Sequence, residues 1–167
     1  MSPGLDRRLL ATYLNDHLAG ATAGRELVRR SAGANRGNTY GAVLAELAGE
    51  IESDRHQLEA LMRGLDIGVD RLKVAGGWLG EKLGRLKPNG RLLGYSPLSR
   101  LVELEVLSLA VQGKLSLWRS LRAVADEDPT LAAVDFDRLI ERAQRQLRTL
   151  GRQRLQAARE ALAGQRG

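Results

Sequence analysis

The chain has 167 residues, 43% of them hydrophobic and only 4% aromatic, which suits one domain with one aliphatic core. It contains no cysteine, which excludes disulfides, thiolate metal sites and cysteine nucleophiles. The net charge is +6, and no run of about 18 apolar residues exists, so no transmembrane segment is expected. The N-terminal apolar patch is too short and interrupted for a signal peptide, so the expected location is cytoplasmic.

Residues 5–32 are predicted as a first long helix, with Leu10, Leu14, Ala21 and Val28 on one face and His17 near its middle. Gly33 is read as its stop, because glycine tolerates the left-handed conformation after a helix. Asn38 or Thr39 can cap a second helix over 39–64. There Tyr40, Leu44, Leu47, Ile51, Leu58, Leu61 and Leu65 recur mostly in steps of three and four. Asp54 stands where that run calls for a Leu or Ile. The short link makes the two helices antiparallel neighbours, so residues whose numbers sum to about 70 lie at equal depth. His17 then falls beside Asp54, and a buried His17–Asp54 hydrogen bond is expected. Arg55, at the border of the stripe, is an alternative neutraliser of Asp54.

Residues 66–96 form a long connection. Over 63–100 there are eight basic and three acidic residues, a net +5. Leu72, Ala75, Leu79, Leu83 and Leu86 mark a narrow apolar stripe, read as a helix weakened by Gly76 and Gly77. A third helix is predicted over 97–124, with Ser96 as its cap and Pro97 in its first turn. It is apolar almost all round, from Leu101 to Leu121, which calls for cover on more than one side. The basic connection or a second subunit can supply it, so a homodimer through this helix or the connection is expected. A fourth helix is predicted over 131–162, beginning between Thr130 and Asp135. Phe136, Ile140, Ala143, Leu147, Leu150, Ala158 and Ala161 mark its inner face, with Arg138, Arg142, Arg145, Arg148, Arg152 and Arg159 opposite.

The whole, residues 1–167, reads as an all-α, antiparallel four-helix bundle with a long, partly helical crossover between the second and third helices. That arrangement resembles the ferritin-like superfamily. The stretches LNDHLAGATAG, WLGEKLGRLKPNGRL and SPLSRLVELE are also similar to a group of uncharacterised bacterial ferritin-like proteins. The resemblance implies two irons, held by a Glu on each of the first and third helices and a Glu-x-x-His on each of the second and fourth.

The residues depart from that ligand set. The second helix has Ser53, not Glu, three residues before His56. Glu52 and His56 share a face, but one roughly 120–165° from the apolar stripe, so they are read as a solvent-facing pair. The fourth helix offers only Glu141 and Gln144. In the first, Asp16 and Glu26 lie off the stripe. The inward polar candidates are His17, Asp54 and Glu105. They are either a degenerate site for Fe or Mn with one His and two carboxylates, or a structural His17–Asp54 bond with Glu105 on the surface.

The expected function is therefore that of a structural or interaction protein without an intact di-iron centre, neither catalytic nor cofactor-dependent. One alternative is a metal-binding oxidase or stress-protection protein. Another is a basic adaptor on nucleic acid or an anionic membrane surface, through the arginine face of the fourth helix or the crossover with Trp78. That face lacks aromatic stacking partners, and no nucleotide loop or catalytic triad is present.

Overall fold

A computed structural model describes residues 4–71 and 95–163. The helix expected over residues 72–86 lies outside the described residues, as does Trp78. The described chain is all-helical: α1 (Arg7–Ala34), α2 (Thr39–Gly64), α3 (Pro97–Ala123), a 3-10 turn (Ala125–Glu127), a one-turn α4 (Pro129–Ala132) and α5 (Phe136–Leu162). The four long helices pack antiparallel as two hairpins, α1 with α2 and α3 with α5. No helix among the described residues is long and apolar enough to cross a membrane.

The helix ends follow from local chemistry. The Asp6 carboxylate accepts from the amides of Arg8 and Leu9 and starts α1. Asn38 caps α2 through the Tyr40 amide. Ser96 caps α3 through the Ser99 amide with Pro97 in the first turn, as expected. Gly33 does not stop α1; the helix runs on to Ala34, and Asn35 closes it by donating its amide to Ser31 O. The fourth predicted helix is two pieces, α4 and α5, because Asp128 and Asp135 each cap a new start.

α2 ends in a Schellman motif. Asp66 takes a left-handed φ of 56°, its amide reaches Arg63 O, and the Ile67 amide reaches Met62 O at 2.8 Å. Ile67 is buried there, and the following chain is latched to α1. Asn15, buried in α1, donates to Gly68 O and accepts from the Asp70 amide.

The core runs the length of the bundle. Leu14, Leu18, Leu27 and Val28 of α1 meet Leu44, Leu58 and Met62 of α2, Leu104, Leu107 and Trp118 of α3, and Ala143 and Leu150 of α5. Cross-helix bonds set the register. Arg100 to Glu160 and Arg122 to Asp137 run α3 against α5, and Ser31 to Glu103 runs α1 against α3. Leu65 and Tyr95 thus lie at opposite ends of the bundle: Arg7 binds Leu65 O at one end, and Asn35 binds the Tyr95 hydroxyl at the other.

Asn35, fully buried, is the hub of that second end. It donates to Ser31 O and Tyr95 and accepts from Arg100 Nε at 2.7 Å and from Asn38. The Arg100 guanidinium lies over the Tyr40 ring, 4.5 Å from its centroid. Gly41 is obligatory here: a Cβ would stand 2.4 Å from the Asn35 carbonyl oxygen.

Candidate functional site

The centre of the bundle holds charge. Asp54 is the carboxylate that interrupts the apolar face of α2, and it is 2% exposed. Lys114 of α3 and Arg142 of α5 converge on it from the other hairpin. The Lys114 ammonium donates to Asp54 Oδ2, and Arg142 Nη2 donates to Asp54 Oδ1. Gln146, one turn after Arg142, donates to Asp54 Oδ2 at 3.2 Å and to Glu50 Oε2 at 2.9 Å, and accepts from Lys114. Four of the five side chains come in pairs one helical turn apart, Glu50 with Asp54 and Arg142 with Gln146, so each pair shares a face, and Lys114 joins them alone from α3.

Two negative and two positive side chains meet there, with the amide of Gln146 between them. Desolvation holds the Lys114 ammonium below its ordinary pKa, against the opposing pull of Asp54. Both Asp54 oxygens are occupied by donors. A cation arriving at Asp54 would have to displace Lys114 or Arg142 and would be repelled by whichever remained.

His17 and Asp54 do lie on the wall of one cavity, as their equal depth suggested, but they do not form the expected hydrogen bond. The cavity, about 640 Å³, opens between α1, α2 and α3. Its walls are mainly apolar, with Gly20, Ala21 and Gly24 facing Leu109, Ala110 and Gly113. His17 packs edge-on against Tyr13, ring centroids 4.5 Å apart. Burial lowers its pKa, more than the Asp16 charge raises it.

The other candidates fall elsewhere. Glu105 is not inward: its side chain is 50% exposed and faces Arg154 at 4.0 Å. Arg55 does not neutralise Asp54; it bonds Glu59, Glu52 and the Thr22 hydroxyl. Glu52 and His56 do pair, 3.1 Å apart, but only His56 faces solvent, 63% exposed; Glu52 is 25% exposed and turned toward α1. Glu52 also receives Arg25; burial pushes its pKa up, but Arg25, His56 and Arg55 together hold it below the usual value. Among the described residues, no three His, Asp or Glu side chains converge to hold a metal ion.

Sequence reasoning missed Lys114, Arg142 and Gln146. A signal existed for the first: Lys114 interrupts an otherwise apolar helix between Val111 and Leu115, as Asp54 does on α2. Spacing puts Arg142 on the outer face of α5, but its long side chain reaches back to the seam with α2.

The described residues define an all-α protein built on four long helices around a buried ion-pair centre. No family model, curated protein or solved structure matches the chain.

Proposed function

We propose that this chain is a ferritin-like bundle acting as a non-catalytic structural or interaction protein without an intact di-iron centre. One observation carries the reading: Lys114 and Arg142 supply the positive charge at Asp54 that a metal would supply in a carboxylate-bridged site. Opposite charges on three helices then tie the two hairpins together from within. The ferritin-like part is supported by connectivity, since α2 ends and α3 begins at opposite ends of the bundle.

Metal analysis of protein purified from iron- and manganese-supplemented cells tests the proposal. The expected content is far below one ion per chain. Stoichiometric metal that disappears in His17→Ala or Asp54→Ala, or oxygen- or peroxide-dependent iron oxidation by the purified protein, would establish the metal-dependent alternative instead.

A further inference from the structure

The outer face of α5 carries two rows at seven-residue spacing. One is Arg138, Arg145, Arg152 and Arg159; the other is Glu141, Arg148, Leu155 and Leu162. They alternate in steps of three and four, the a and d pattern of a helix seam. Both rows lie opposite the buried face formed by Leu139, Ala143, Leu150 and Ala157. All eight side chains are exposed, with Leu155 at 53% and Leu162 at 69%. Among the described residues, none of the five arginines pairs with a carboxylate. The seam therefore has length, charge and apolar anchors, and among the described residues its arginines meet no carboxylate and its two leucines stay exposed.

We propose that this face docks an acidic amphipathic α-helix of a partner protein. The period argues for a helix: a heptad advances about 10.5 Å, so a second helix laid alongside meets the arginine row at each of its own heptads. The charge argues for acidic residues opposite Arg138, Arg145, Arg152 and Arg159. Leu155 and Leu162 argue for apolar residues facing the later half, where a nucleic acid backbone would leave them unused. A second copy of α5 is unsuitable, because in either orientation two copies of this seam would bring ten arginines together with only two glutamates. The proposal deepens the reading as an interaction protein, and its failure leaves the metal test of that reading untouched.

Fluorescence anisotropy with a labelled synthetic helix tests it. The probe carries Glu at one heptad position throughout and Leu at the other in its C-terminal or N-terminal half, giving both orientations. The control has the same composition in scrambled order. The patterned peptide should bind the full-length chain at least about tenfold more tightly than the control. Arg145→Glu with Arg152→Glu should weaken it by about tenfold or more, and Leu155→Ser with Leu162→Ser by about fivefold. Circular dichroism confirms that these exposed substitutions leave the helices intact, and Arg145→Gln with Arg152→Gln serves if charge reversal does not. Equal binding of the scrambled peptide, no binding at low salt, or tighter binding of a DNA duplex or phosphatidylserine vesicles would overturn the proposal.

Discussion

Asp54 shows how much one buried carboxylate constrains a small bundle. Removing it strands two cations at the seam of three helices, and breaking a buried pair in this way costs about 3–5 kcal/mol. Asp54→Ala should therefore lower the urea midpoint sharply, without a change in m-value, in an unfolding titration. Asp54→Asn should recover part of the loss, since the amide oxygen still accepts one bond, though the charge is gone. The centre is screened little by salt, so the Asp54→Ala deficit should persist in about 1 M salt, where the Debye length is about 3 Å. His17 contributes a pH effect of definite sign. Its folded pKa lies below 6.5, so on acidification the unfolded chain takes up the proton first. Stability tied to His17 is complete above pH 6.5 and falls as pH drops through the folded pKa. His17→Gln should flatten the decline of Tm below pH 6.5 while leaving the plateau above it nearly level.

At the scale of elements, the turns are the sharpest test of the fold. Asp66 holds a left-handed conformation that costs a non-glycine residue roughly 1 kcal/mol. Asp66→Gly should relieve part of that strain and raise Tm by a few degrees in a thermal melt, provided Ile67 keeps its packing. Gly41→Ala should do the reverse. Its methyl group would collide with the Asn35 carbonyl at 2.4 Å, and the backbone has to move, with a loss of about 1–3 kcal/mol. Because Asn35 also receives Arg100 and binds Tyr95, that loss should spread to the start of α3, visible as faster amide exchange there. Element boundaries were legible where a cap or a turn residue announced them, as at Asn38 and Ser96. They were not at Gly33, because α1 keeps its helical bonds past the glycine to Asn35, which is held by tertiary partners.

At the scale of the whole molecule, the two hairpins meet through a mixed seam: leucine packing along α1 and α3, and the ion-pair centre where α5 faces α2. No bound ion is needed to balance this centre. Chelator, or added iron(II) or manganese(II), should accordingly move Tm by less than about 1 °C, since a ligand that binds the folded state raises stability with its concentration. A concentration-dependent rise in Tm would speak for a metal site.

The sequence by itself determined the all-α class, the four long helices, the antiparallel α1–α2 hairpin and the inward position of Asp54. Each depends on spacing along one helix or on a short link, and both are local. The neighbours of Asp54 were decided by the tertiary structure. Whether Lys114 and Arg142 reach that carboxylate depends on how far the second hairpin is rotated and shifted against the first. His17 packs against Tyr13, one turn away on its own helix, whereas the placement of the second hairpin sets Lys114 and Arg142 across from Asp54. No spacing within either hairpin encodes it, because the helices are registered to each other only by their packing.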